Sequence, residues 1–295
     1  MRAGLARLCG RDWPDYAGVT DAIMRVGLPD YAGGAMGDGM RHILIIGIGA
    51  GNPEHMTVQA INALNRADVL FIPTKGEKKT ELAELRRAIC ARYVTRAGSR
   101  TVEFAVPVRR TEGRSYVESV DEWHAGIAAA YEALLESELA EGQTGAFLVW
   151  GDPMLYDSTI RIVERVKSGG RVAFGYDVIP GITSLQALCA SHRIPLNLVG
   201  KPVEITTGRR LAESFPHKSE TAVVMLDGEQ AFRKIEDPDA EIYWGAYLGT
   251  PDEIVISGRL AEVKERILEA RAAARERMGW IMDIYLLRKG ADFEE

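Results

Sequence analysis

Three short segments carry residues able to hold a small molecule. Gly47-Ile-Gly49-Ala-Gly51-Asn52-Pro53, Gly151-Asp152-Pro153 with Ser158 and Thr159 downstream, and Pro180-Gly181-Ile-Thr183-Ser184 each follow an apolar run. Beside glycine, backbone amides and carbonyls stand open to a ligand because no Cβ crowds them. Read alone, Gly-Asp-Pro is ordinary turn chemistry, and Ser158 is placed to cap the helix that follows. Three such loops at strand ends of one sheet are more than turns. Ligands of open α/β sheets collect at that carboxyl edge.

Several chemistries fail on spacing. A dinucleotide fingerprint beginning at Gly47 needs Gly or Ala at position 52, where Asn52 stands with Pro53 behind it. The acidic residue downstream, Asp68, falls at the start of the second strand rather than at its end. No Gly-Lys-Ser/Thr follows, so a Walker loop is excluded. Cys9, Cys90 and Cys189 form no CxxC and no metal spacing. The sequence therefore predicts neither a metal site nor structural disulfides, which fits a reducing cytoplasm. The formal net charge of −6 argues against a nucleic-acid partner, and no apolar run approaches the length of a membrane span.

The elements that must position the loops are legible from periodicity. Strands are predicted at 42–47, 67–72, 102–106, 145–150 and 171–179. Helices are predicted from residue 56 and over 78–92, 117–140, 158–168 and 182–191. Strands alternating with helices predict an α/β fold, with a mostly parallel sheet in a first domain over residues 40–197. Beyond a boundary near 195–200, strands at about 202–207, 221–226, 242–248, 253–257 and 281–288 surround a long charged helix at 260–277. These predict a second, α+β domain over 198–295 with a mixed sheet. Residues 1–39 end in a glycine-rich lead and are expected to be an accessory extension, or the product of an upstream start whose counterpart is Met36 or Met40.

The combination of these segments resembles the tetrapyrrole (corrin/porphyrin) methylases, methyltransferases that use S-adenosylmethionine. The resemblance runs from about Met40 to Gly290. Besides the three loops it includes Met56-Thr57, Ala67-Asp68-Val69, Val178-Ile-Pro-Gly-Ile-Thr-Ser184 and Leu248-Gly-Thr-Pro-Asp-Glu253. It implies two α/β domains with the cofactor in the cleft between them. It also implies cofactor contacts from Ala50, Trp150, Gly151, Asp152, Leu155, Thr183, Ser184, Met225 and Ala246; Met225 reads equally as core filler. Family members usually form homodimers.

Within the family, the loops Gly-Ile-Gly-Ala-Gly-Asn-Pro-Glu-His and Trp-Gly-Asp-Pro-Met-Leu-Tyr-Asp-Ser-Thr are most similar to the cobalamin-branch members that methylate a corrin precursor and release acetate. A sibling precorrin methylase, or a macromolecule methyltransferase of the same fold, stays open. A corrin precursor carries many carboxylates and needs fixed cations, for which arginine's planar fork is suited. Arg86, Arg87, Arg92, Arg96, Arg100, Arg109, Arg110 and Arg114 are clustered in sequence. Arg109 and Arg110 are the preferred substrate contacts, with Arg209 and Arg210 next. Loss of an acetyl group needs help in moving protons. His55, Tyr156 and Asp157 are the candidates near the loops, although His55 also reads as a surface residue and Tyr156 as a packing aromatic.

Overall fold

The computed structural model describes residues 39–74, 80–110, 112–213 and 219–289. The extension expected over 1–39 lies outside the described residues except for Gly39, as do residues 78 and 79 of the second predicted helix.

The first part of the chain alternates strand and helix. Its elements are β1 (Arg41–Gly47), α1 (Val58–Leu64), β2 (Val69–Thr74), α2 (Thr80–Tyr93), β3 (Arg100–Ala105), α3 (Tyr116–Glu138), β4 (Thr144–Val149), α4 (Thr159–Gly169), β5 (Phe174–Ile179) and α5 (Ser184–His192). The strands form a parallel sheet in the order β3-β2-β4-β1-β5. Alternation of side chains explains why β1 is apolar throughout. Ile43 and Ile45 pack with Phe71, Phe147 and the buried faces of α3 and α4. Leu44 and Ile46 face the other way, onto Ala60 and Leu64 of α1 and Ile89 of α2. A strand covered on both faces has no polar side to show.

Strand order also sets where a ligand can enter. The crossover from β1 to β2 and that from β4 to β5 run in opposite directions across the sheet. Right-handed crossovers then place α1 and α4 on opposite faces. The carboxyl ends of the neighbours β1 and β4 are therefore the point where the chain leaves to either side, which opens a crevice.

The second sheet holds β6 (Val203–Thr207), β7 (Thr221–Met225), β8 (Glu241–Ala246), β9 (Ile254–Arg259) and β10 (Asp283–Arg288), in the order β6-β7-β10-β8-β9. The pair β6–β7 is parallel and the others are antiparallel, so this sheet is mixed. Between strands lie α6 (Gly208–Glu213) and α7 (Leu260–Met278). Under α7, Arg271 Nε pairs with Asp283 Oδ2 at 2.9 Å, and Trp244 Nε1 donates to the same oxygen at 3.0 Å. Tyr285 donates its hydroxyl proton to Asp227 Oδ2 at 2.6 Å. Both sheets lie within one compact unit, joined by a cluster in which Leu185 and Leu188 of α5 meet Ala50, Val223, Leu248 and Leu286.

Some element boundaries depart from the periodicity. The strands predicted to reach 226 and 248 stop at Met225 and Ala246, because Leu226 and Tyr247 take left-handed backbone angles, φ 54° and 51°. The strand predicted from 171 starts at Phe174, after Gly170 (φ 71°) ends α4 in the same left-handed region. The short helix α6 was not predicted from the sequence.

Candidate functional site

The three glycine loops meet backbone to backbone. Gly49 and Gly151 form an isolated antiparallel bridge: the Gly151 amide donates to the Gly49 carbonyl at 2.8 Å, and the Gly49 amide to the Gly151 carbonyl at 3.2 Å. A Cβ at Gly47 would stand 2.6 Å from the Gly181 nitrogen, and one at Gly181 would collide with the Gly151 carbonyl oxygen. Glycine is needed here for close approach.

Buried Asp152 locks the arrangement. Its Oδ1 accepts from the Met154 amide at 2.7 Å and its Oδ2 from the Gly181 amide at 2.8 Å, tying the second loop to the third. Thr183 begins α5 with a capping box: its Oγ1 accepts from the Gln186 amide, while Gln186 Oε1 accepts from the Thr183 amide at 2.7 Å. A Cβ on left-handed Gly151 (φ 69°) would meet nothing closer than Thr183 Cα at 3.9 Å.

Around this seam Trp150 and Ser184 are half-buried. Ala50 is nearly closed off, and half-buried Met225 packs against the cluster that contains it. Ala246, by contrast, is wholly buried in the second core and offers a ligand no surface. A Cβ on Gly51 would stand 2.6 Å from the Leu248 carbonyl oxygen, so the first loop also lies flush against the turn after β8.

His55 is not the surface residue that one reading of its loop allowed. Half-buried in a one-turn helix, Pro53–His55, it sits so close to Gly49 and Gly249 that a Cβ on either would touch it. Its Nδ1 is buried without a hydrogen-bond partner among the described residues. Burial holds its pKa below the usual imidazole value, opposed by Glu253.

Beside the seam opens a cavity of about 820 Å³, within the range of ligand pockets. Its walls come from the ends of β2 and β4, from α3, from residues 154–159, and from Ile205 and Leu226 of the second sheet region. Leu155, Tyr156 and Asp157 line it, whereas His55 does not. Tyr156 and Leu226 are exposed with φ 52° and 54°. Bulky residues rarely adopt such angles, and strain of this kind concentrates at ligand sites. The Tyr156 hydroxyl reaches the Ile205 carbonyl at 3.4 Å, bridging the two sheet regions. Burial, then Glu204, raises its pKa.

The structure sorts the arginines. Arg87 pairs with Glu103, Arg92 with Glu54, Arg96 with Asp68, Arg100 with Glu138 and Arg114 with Glu122, all at the surface. Asp68 also accepts from the Thr144 amide at 2.8 Å, which spends on structure the one acidic residue a dinucleotide reading required. Arg109 lines the cavity while Arg110 is exposed away from it. The guanidinium groups of Arg109 and Arg209 lie 5.2 and 4.2 Å from the ring centre of Tyr116, another cavity residue. Arg210 instead pairs with Glu213 at 3.2 Å.

Arg86 forms part of the cavity wall although it is buried. Its Nε donates to the Leu148 carbonyl at 2.9 Å and its Nη1 to that of Leu82 at 2.8 Å.

One pair had no sequence signal. His124, in the middle of α3, places Nε2 2.9 Å from Ser158 Oγ, and both line the cavity. Ser158 occupies the cap position of α4, yet its side chain makes no cap bond. Asp157 Oδ1 takes the Thr159 amide instead, at 2.6 Å. Burial, and next Arg161, lowers the His124 pKa, with Asp121 opposing.

Comparison with known proteins gives concordant matches. The family profile of the Tetrapyrrole (Corrin/Porphyrin) Methylases matches residues 42–264. A Sinorhizobium protein, Precorrin-6A synthase [deacetylating], is 85% identical over 257 residues, 87% of this chain and 98% of that one. Among solved structures, a cobalamin synthesis related protein (CobF) from Corynebacterium diphtheriae superposes with a TM-score of 0.74 at 37% identity, covering 85% of this chain and 100% of that one. The uroporphyrin-III C-methyltransferase of Thermus thermophilus, complexed with S-adenyl homocysteine, shares the fold at a TM-score of 0.52 and 19% identity, covering 84% and 97%. No helix among the described residues is long and apolar enough to cross a membrane.

Proposed function

We propose, from the premise that this chain belongs to the tetrapyrrole (corrin/porphyrin) methylases, that it is a precorrin-6A synthase of the deacetylating kind. It would methylate precorrin-5 at C-1 and release the acetyl group as acetate, in cobalamin biosynthesis. The observation that carries the reading is the joining of a glycine-stacked seam to an 820 Å³ cavity with fixed arginines, in a chain 85% identical to a synthase of that name. A ring bearing many carboxylates needs such cations: Arg86, Arg109 and Arg161 line the cavity, and Arg209 lies over the ring of the cavity residue Tyr116.

The methyl donor is S-adenosylmethionine, which when bound supplies an electrophilic methyl group. The seam fits it: left-handed Gly151 faces Thr183 with no side chain between, and the flanking walls at Trp150, Leu155 and Met225 are apolar. Trp150, Gly151, Thr183, Ser184 and Met225 would make the contacts, with Ala50 and Asp152 fixing the loops behind them. Methyl transfer needs alignment more than a strong base. The chain's contribution there is to hold the ring, through its arginines, against this seam. Tyr156 stands at the cavity to assist proton movement, and His55 is placed to shape the first loop. We further propose a homodimer in the cytoplasm, with the two sheet regions acting as domains divided near residues 195–200.

Purified protein incubated with methyl-labelled S-adenosylmethionine and enzymatically made precorrin-5 is expected to give a labelled macrocycle and an equal amount of acetate. Label without acetate would leave a methylase but remove the deacetylating assignment. Label only with another precorrin would move the enzyme to a sibling step.

A further inference from the structure

We propose that Ser158 and His124 are the acyl-transfer pair of the deacetylating step, Ser158 Oγ as nucleophile and His124 Nε2 as its base. The inference rests on the reading above, and takes the acetyl group to be borne by the carbon that is methylated.

The geometry has the features such a pair requires. Nucleophile and base lie within hydrogen-bond reach at 2.9 Å. Both line the large cavity, where a tetrapyrrole would sit. The Ser158 hydroxyl is free for chemistry because Asp157 has taken over the capping of α4. Arg161, one turn along α4 and also on the cavity wall, can receive the negative charge that develops on the acyl oxygen. The charged groups reported around His124 are Arg161 and Arg165 on α4 and Asp121 on its own helix, and Asp121 is already paired with Arg165 at 2.7 Å. With burial, they leave the imidazole neutral and able to accept a proton at neutral pH.

The step balances as follows. Ser158 Oγ bonds to the acetyl carbonyl carbon while its proton moves to His124 Nε2. The bond from that carbon to the ring breaks, and its electron pair stays on the ring carbon, delocalised into the conjugated macrocycle. That carbon is the one which then receives the methyl group, so the pair ends in the new carbon–carbon bond. His124 releases its proton to solvent and takes another from the water that attacks the acetyl-serine ester. Acetic acid leaves and Ser158 is restored. One water is consumed and one further proton is released for each methyl transferred.

A hydroxyl–imidazole bond that merely ties α3 to α4 would leave no acyl adduct, and the test uses that difference. Wild-type enzyme, Ser158→Ala, Ser158→Cys and His124→Gln are mixed with labelled methyl donor and precorrin-5, quenched early, and assayed for acetate, ring label and the mass of the peptide carrying residue 158. The wild type is expected to show one acetyl group on that peptide. Ser158→Ala and His124→Gln are expected to lose acetate release about 10²–10⁴-fold, with methyl-donor binding measured by calorimetry unchanged. Ser158→Cys, which keeps a nucleophile and checks against a folding defect, is expected to hold the acetyl group as a thioester. Acetate release from Ser158→Ala within about tenfold of wild type would overturn the pair while leaving the enzyme's function intact. Absence of both label and acetate in the wild type would overturn the functional reading, and the pair with it.

Discussion

The two sheet regions bury polar groups for opposite ends. Under the second sheet the polar network is closed on itself: Arg271 and Asp283, only 6% and 8% exposed, share Trp244, while Asp227 receives Tyr285 and the Ala231 amide. Among the described residues, buried polar atoms without a hydrogen-bond partner occur in both regions, Thr221 Oγ1 and Arg288 Nε on the second sheet and His55 Nδ1 beside the first, so the difference lies in what the polar groups face. At the carboxyl edge of the first sheet, Arg86 and Ser158 line a cavity, the one bonded to backbone carbonyls and the other to an imidazole. An unsatisfied buried polar group costs about 1–3 kcal/mol. In the second region the network of Arg271, Asp283, Asp227 and Tyr285 faces itself, and in the first the polar groups face a cavity.

That contrast is open to attack by mutation. Arg271→Ala strands Asp283 in the second core and is expected to lower unfolding free energy by about 3–5 kcal/mol, measured by urea titration. Turnover per folded molecule is expected to hold; a large fall in turnover at unchanged urea midpoint would erase the distinction. Asp152→Ala lies on the border. It frees two backbone amides, at a cost of about 1–3 kcal/mol, and it also loosens the seam, so calorimetry is expected to show weaker methyl-donor binding. Asp152→Asn, which keeps one acceptor, should fall between.

Arg109→Ala and Arg209→Ala sharpen the comparison from the other side. Each is expected to raise KM for the tetrapyrrole several-fold, a loss of about 1 kcal/mol. The urea midpoint should stay put, and Arg110→Ala or Arg210→Ala should do less. The smallest effect concerns acid. His55 binds its proton less readily in the folded protein than in the unfolded chain, whose value is near 6.5. Stability from its burial is complete above that pH and is lost as pH falls below it. His55→Gln should flatten that part of the stability profile in thermal melts at pH 5–7.

Much of the fold was legible because burial on both faces writes itself as an apolar run: β1 and β4 were read to within one residue at each end, while β2 runs two residues later than read, through Pro73. Ends set by single left-handed residues were not, since nothing in the types of Leu226 or Tyr247 announces φ above zero. The glycine seam was legible for the same local reason as the strands, each loop being a contiguous motif. Ser158 was read correctly as the cap position but wrongly as the capping group, because Asp157 competes for the same amide. His124 was invisible. Its partner is on another helix, and only the packing of α3 on α4 brings them together. Arg86 and Arg87 look alike in sequence, and their fates differ because one helical face is buried and the next is solvated.

The stacking of Gly47, Gly151 and Gly181 has a consequence in time. These contacts join segments far apart in the chain, and loop closure must precede any gain from them. Local helices can form early, but the ligand seam can exist only after β1, β4 and β5 have all docked in register. A nascent or partly folded chain would therefore have no seam with which to capture the methyl donor. The amides of Gly49 and Gly151 are expected to report completion of the whole sheet in hydrogen exchange, opening only when it does.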